Sequence, residues 1–194
     1  MIRKPNNWNE VQEFTDRQKL PVGAYVSKIK QVRIQDNSYG SQLAMLFDIS
    51  EGEYTGYFKD EFDANTNEDK KWRGVLRVWL PKDDGSEKDE MTKRSFKGMV
   101  TAFENSNLGY KWDWNENSLV GKTVGILFRN EEWDYNGKHG WAVRPFRAIS
   151  ADKVRDESFT IPKDKALSNS QSAAPSYPNP NNGYTEVDDE ELPF

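Results

Sequence analysis

The chain has no cysteine and a single histidine, His139, among 194 residues. No disulfide framework can form, and a zinc site built from Cys and His lacks the ligands it needs. A reducing cytoplasm suits such a composition. No apolar run approaches the roughly eighteen residues required of a membrane span. The start, Met1-Ile2-Arg3-Lys4-Pro5-Asn6, lacks the apolar core of a secretory signal. A cytoplasmic protein without a membrane partner is therefore expected. Catalytic groupings are also scarce. No thiol nucleophile exists, and His139 has no Ser or carboxylate pattern that would make it a base. Gly121-Lys122-Thr123 resembles the end of a phosphate-binding loop. Position 116 is Glu where that motif needs Gly, and a strand follows where it needs a helix. Asp83, Asp84, Glu87, Asp89 and Glu90 share one charged loop. A nuclease draws its Mg²⁺ ligands from rigid elements at fixed separations. The expectation is a protein that is not an enzyme and carries no cofactor or metal.

Aromatic residues, in contrast, are plentiful: 7 Trp, 8 Tyr and 10 Phe. Several lie in polar sequence, where burial explains them poorly. Charge is unevenly divided. The net charge is −5 overall, yet residues 1–155 carry 25 basic and 24 acidic residues. From residue 156 onward there are 2 basic and 8 acidic residues. A neutral body thus carries an acidic appendage, an arrangement that fits a nucleic-acid binder without proving one.

Hydrophobic phase gives the elements. Trp8, Val11 and Phe14 suggest a short amphipathic turn at the start. Val22 to Ile34 reads as a long strand whose apolar phase breaks near Lys28–Lys30, which a bulge would repair. After the turn Asp36–Gly40, Leu43, Met45, Phe47 and Ile49 alternate as a half-buried strand. Residues 54–71 read as a surface excursion with one helix. Arg73 to Leu80 is a third strand, closed by Pro81. Phe96, Met99, Val100 and Phe103 recur at helical spacing. Two more strands, Val124 to Tyr135 and Lys138 to Ile149, flank Asn136-Gly137, the strongest hairpin signal in the chain. The order is strand, strand, strand, helix, strand, strand. It predicts a mainly β domain: an OB-fold-like five-stranded Greek-key barrel with its helix between strands 3 and 4. The domain is expected over 1–155. A flexible linker of Ser, Asn, Pro and Gly follows at 156–187, then an acidic tip at 188–194.

The two-residue turn fixes a register. Tyr135 should face Lys138, Trp133 Gly140, Glu131 Ala142 and Arg129 Arg144, and cross-strand partners share a face. One face then carries Arg129, Trp133, Tyr135, Lys138 and Arg144, with Gly140 leaving room for a base. The third strand adds Arg73, Arg77 and Trp79 on its outward phase. Rings that stack on bases, set beside cations that follow phosphates, are what single-stranded nucleic acid needs. A one-residue slip would exchange Trp133 for Trp141. Tyr110, Trp112 and Trp114 alternate with Lys111 and Asp113, either as a plug for the barrel's end or as a second stacking surface.

The chain closes on Asp188-Asp189-Glu190-Glu191-Leu192-Pro193-Phe194. Pro193 restricts the backbone, so little freedom is lost on docking. Phe194 joins a ring to a free carboxylate. This tip resembles the acidic tail of bacterial single-stranded-DNA-binding proteins, which ends Asp-Asp-Asp-Ile-Pro-Phe. The body, through stretches such as Leu20-Pro21-Val22-Gly23-Ala24-Tyr25 and Leu119-Val120-Gly121-Lys122, is similar to divergent proteins found beside bacteriophage recombination genes. The resemblance implies that Asp188 to Phe194 dock onto host or phage replication, recombination and repair proteins in a bacterial cytoplasm. Leu192 stands where the family has Ile, and glutamates replace some aspartates. The expected function is to bind and protect single-stranded DNA without strong sequence preference and to recruit processing enzymes. The alternatives are an adaptor or decoy that carries the tip without binding DNA, and a DNA-processing or annealing enzyme. A homo-oligomer is compatible with this reading.

Overall fold

The computed structural model describes residues 3–10 and 19–167. Val11, Phe14 and the tip 188–194 lie outside the described residues. Among the described residues five strands form: β1 (Gly23–Asn37), β2 (Gly40–Ile49), β3 (Val75–Trp79), β4 (Thr123–Tyr135) and β5 (Lys138–Ile149). They make one antiparallel sheet in the order β3-β2-β1-β4-β5. Helix α1 (Tyr57–Asp63) interrupts the excursion between β2 and β3, and α2 (Glu87–Ser106) lies between β3 and β4. Among the described residues no helix is long and apolar enough to cross a membrane.

β1 organises the sheet because it is long enough to serve two partners. Gly23 to Lys28 pair with β4, and Ser27 to Asn37 pair with β2. The register shifts between Ile29 and Gln31, at the point where the apolar phase breaks. The extra residue lets Ile29 and Val32 both face the core while the strand bends. Phe47 and Phe128 are fully buried at the centre. Phe58 of α1 stacks on Phe128 with centroids 6.2 Å apart and meets Phe47 edge-on at 5.3 Å. Burying each ring contributes roughly 1.5–3 kcal/mol.

α2 begins where Ser86 accepts the N–H of Asp89, and Asp89 in turn accepts the N–H of Lys82. Its Phe96, Met99, Ala102 and Phe103 are buried against the sheet. Gly74, just before β3, admits no side chain. A Cβ there would lie 2.5 Å from the Phe47 carbonyl oxygen and 2.7 Å from the Phe58 ring. Gly74→Ala is expected to destabilise the domain by about 1–3 kcal/mol, the range for overpacking. A denaturant titration checks this, and an unchanged midpoint would mean that α1 yields at no cost.

Order continues past the expected boundary near Arg155. Helix α3 (Ala151–Arg155) is capped by Ser150 and covers Gly125, where a Cβ would meet Val154 at 2.5 Å. The chain then returns to β4. Lys165 N–H donates to the Asn130 carbonyl, and Glu132 N–H donates to the Lys165 carbonyl, both at 2.9 Å. This makes a parallel bridge on the edge of β4 that β1 does not reach. Lys165, within the span expected as linker, thus pairs with the edge of β4.

Candidate nucleic-acid interface

The β4–β5 hairpin has the register that its turn dictates. Tyr135 pairs with Lys138, Trp133 with Gly140, Glu131 with Ala142 and Arg129 with Arg144. Asn136 and Gly137 take φ of 52° and 73°, the left-handed values that a tight hairpin turn needs. Pairing phase places Trp133, Tyr135, Lys138 and Arg144 on the sheet's outer face, opposite the core. Tyr135 is 72% exposed, and Lys138 and Arg144 are exposed without an ion-pair partner among the described residues. Trp133 is half-buried.

Two details correct the sequence reading. Arg129 shares the outer phase but is only 2% exposed. Its guanidinium lies 4.0 Å above the Phe146 ring, and its Nε and Nη2 donate to Glu131 at 3.2 Å. A cation so enclosed cannot reach a phosphate, and Arg129 leaves the set of exposed cations. Nor does Gly140 hold a space for a base. A Cβ on Gly140 would meet the Trp133 indole at 3.0–3.3 Å, so the indole itself occupies that space. Glycine lets Trp133 lie across the hairpin. The hairpin's acids largely leave this face. Glu131 is engaged by Arg129. Glu132 and Asp134 belong to the opposite phase, and Glu132 accepts the N–H of Leu167 at 2.9 Å.

The other half of the outer face is built by rows across β1, β2 and β3. Arg33, Ala44 and Arg77 form one row, and Gln35, Gln42 and Trp79 form the next. Ala44 is fully buried between the two arginines. Arg33 and Arg77 stand two strand spacings apart, about 10 Å. Both are exposed and have no ion-pair partner among the described residues. Trp79 is 39% exposed beside the β1–β2 turn, where Tyr39 is 78% exposed. Gly40 at that turn has φ of 140°, and a Cβ there would meet Lys82 at 2.9 Å and Trp79 at 3.8 Å. Arg33, Tyr39 and Lys82 are not among the site residues expected from the sequence. The outward Ala44, a small residue between two cations, is the signal that points to the row. Arg73 does not join it. β3 starts only at Val75, and Arg73 pairs with Glu61 of α1 at 2.9 Å. β3 and β5, the two ends of the sheet order, come into contact with each other.

The aromatic run after α2 divides. Tyr110 and Trp112 pack against the core. The Tyr110 hydroxyl bonds Ser118 at 2.8 Å, and burial raises its pKa. Trp114 is 80% exposed. In the acidic loop and first turn of α2, Lys93 ion-pairs with Asp83, Glu90 and Asp89 at 2.8, 2.9 and 3.3 Å. An ammonium sits among these carboxylates, which raises the Lys93 pKa and lowers that of Asp83. No protein-family model matches the chain, and comparison with curated proteins gives no significant match.

Proposed function

We propose that the chain binds single-stranded DNA without strong sequence preference and recruits DNA-processing proteins through residues 188–194. The observation that carries this reading is the hairpin's outer face, where Trp133 and Tyr135 share a face with Lys138 and, farther along the strands, Arg144, with little opposing acid. Bases of any identity present a ring to stack, and cations neutralise the backbone, so the surface favours unpaired strands over duplex. The sheet order, with a helix between β3 and β4 and contact between β3 and β5, supports an OB-type barrel. In that fold the strand 2–3 face and the loops joining strands 1–2 and 4–5 hold oligonucleotides. Here those positions correspond to the Arg33–Ala44–Arg77 row, the turn at Tyr39 and the β4–β5 hairpin. The resemblance of Asp188 to Phe194 to the tail of bacterial single-stranded-DNA-binding proteins supports the recruiting role.

Fluorescence anisotropy with labelled oligo-dT, matched against duplex of the same length, tests the reading. Single strands are expected to bind much more tightly. Each neutralised phosphate on a single strand contributes about −0.7 to the slope of log affinity against log salt. Arg33, Arg77, Lys138 and Arg144 together predict a slope of about −3. Equal affinity for duplex, or a slope near zero, would remove the stacking surface from consideration. Capture of host proteins without any DNA binding would leave the adaptor reading in its place.

A further inference from the structure

β4 outruns β1. Among the described residues the pairing of β1 with β4 ends at Gly23 opposite Phe128, whereas β4 continues to Tyr135. β5 accompanies it to the end, with Lys138 opposite Tyr135. Beyond Phe128 the two strands are a ribbon, and Trp133, Tyr135 and Lys138 all lie on it. A two-stranded ribbon is marginal in water until a third strand or a packed layer joins it. On one side, α2 and β3 meet β5. The opposite edge, along β4, is the one that β1 leaves open.

Residues 163–167 close that edge. Lys165 lies parallel to Glu131. Its N–H donates to the Asn130 carbonyl and its carbonyl accepts the Glu132 N–H, both at 2.9 Å. A side chain adds a further tie, because the Glu132 carboxylate accepts the Leu167 N–H at 2.9 Å. With the strap in place Asn130 is 2% and Glu132 9% exposed. Hydrogen bonds shielded from water in this way hold better than exposed ones. Parallel pairing also sets a direction: the strap runs as β4 runs, toward the turn at Asn136-Gly137. Its last tie is made at Glu132, the residue before Trp133. The strap therefore grips the ribbon next to the rings that the ribbon carries.

We propose that residues 163–167 are a positioning strap for the nucleic-acid surface: by pairing with Asn130 and Glu132 they hold the β4–β5 ribbon in the orientation that presents Trp133 and Tyr135 to a single strand. The inference rests on the DNA-binding reading and carries the functional unit past Arg155, to Leu167. Lys165 acts here through its backbone and not through its ammonium. A surface held in its binding orientation only part of the time binds with an affinity reduced by that fraction. Loosening the strap therefore weakens DNA binding without removing any residue of the outer face.

The test compares the full chain with Lys165→Pro, which has no N–H to give Asn130, and with Lys165→Ala, which keeps it. Lys165→Pro is expected to weaken oligo-dT binding about 2- to 12-fold, the effect of one backbone hydrogen bond. Lys165→Ala should bind as the unaltered chain does. Adding Leu167→Pro, which removes the N–H held by Glu132, should deepen the loss. Hydrogen exchange reads the strap directly. The Glu132 amide should exchange faster in Lys165→Pro, while the amide of the buried Phe47, bonded to the Gly74 carbonyl, keeps its protection. If Lys165→Pro strips protection from Phe47 as well, Leu167→Pro alone carries the same comparison. Faster exchange at Glu132 with unchanged affinity overturns the proposal and leaves the DNA reading intact, because the strap would then be structural only. Equal losses from Ala and Pro also overturn it, since the Lys165 side chain and not the pairing would matter. So does a loss of affinity with Glu132 still protected. Failure of the unaltered chain to bind oligo-dT would sink the DNA reading itself and this proposal with it.

Discussion

Trp133→Ala combined with Tyr135→Ala is expected to weaken oligo-dT binding by roughly 30-fold or more, since each stacked ring is worth about 1–3 kcal/mol. The two rings occupy one face of one strand, so their effects need not add. Tyr135 is 72% exposed, and its loss should leave the melting temperature nearly unchanged. Trp133 is half-buried and lies on Gly140, so its loss should also loosen the hairpin tip. The two contributions can be separated. Tyr135→Ala alone reports stacking, and the added cost of Trp133→Ala reports stacking together with hairpin order. Tryptophan fluorescence quenching on binding should fall sharply once Trp133 is gone. A double variant that binds as tightly as the unaltered chain would show that the hairpin face is not the DNA surface. Attention would then pass to the Arg33–Ala44–Arg77 row and Trp79.

What could be read from the residues alone was whatever depends on local phase. The bulge in β1 followed from a broken alternation near Lys28–Lys30, and it lies between Ile29 and Gln31. The hairpin register followed from Asn136-Gly137, because two residues at positive φ admit few turn geometries. The inner face of α2 followed from Phe96, Met99 and Phe103. What could not be read was whatever depends on tertiary cover. Alternation correctly placed Arg129 on the outer phase. It could not show that Phe146 and Glu131 would enclose the guanidinium. The strap at 163–167 was missed for a different reason. It is held chiefly by backbone hydrogen bonds to Asn130 and Glu132, which leave little trace in side-chain pattern. Arg73 was misplaced because an outward phase was extended through Gly74, where the strand has not yet begun.

The second large effect concerns the tip. Deletion of Phe194 alone is expected to abolish capture of bacterial DNA-processing proteins while leaving oligo-dT affinity unchanged. The deletion keeps Glu186, Asp188, Asp189, Glu190 and Glu191, so all five negative side chains of the last nine residues remain. It removes the ring and moves the free carboxylate onto Pro193. Long-range attraction depends on the retained charges and survives the change. Seating in an apolar pocket with a basic rim depends on the ring and on the carboxylate's position, and it is lost. Contrast between the two therefore separates a pocket ligand from a solvated acidic run. The measurement uses the full chain and its Phe194 deletion as baits in bacterial lysate, with captured proteins identified by mass spectrometry. An added peptide of residues 186–194 should displace them from the full chain. Removing all nine residues gives the complementary arm. A tethered anionic segment visits nearby cations at high effective concentration. Its loss should leave DNA affinity equal or slightly raised, most visibly at low salt where Lys138 and Arg144 are least screened. If deletion of Phe194 changes neither the captured proteins nor their amounts, residues 188–194 act by charge alone. The recruiting half of the proposed function would then be withdrawn, while the DNA-binding half would stand on the hairpin experiment.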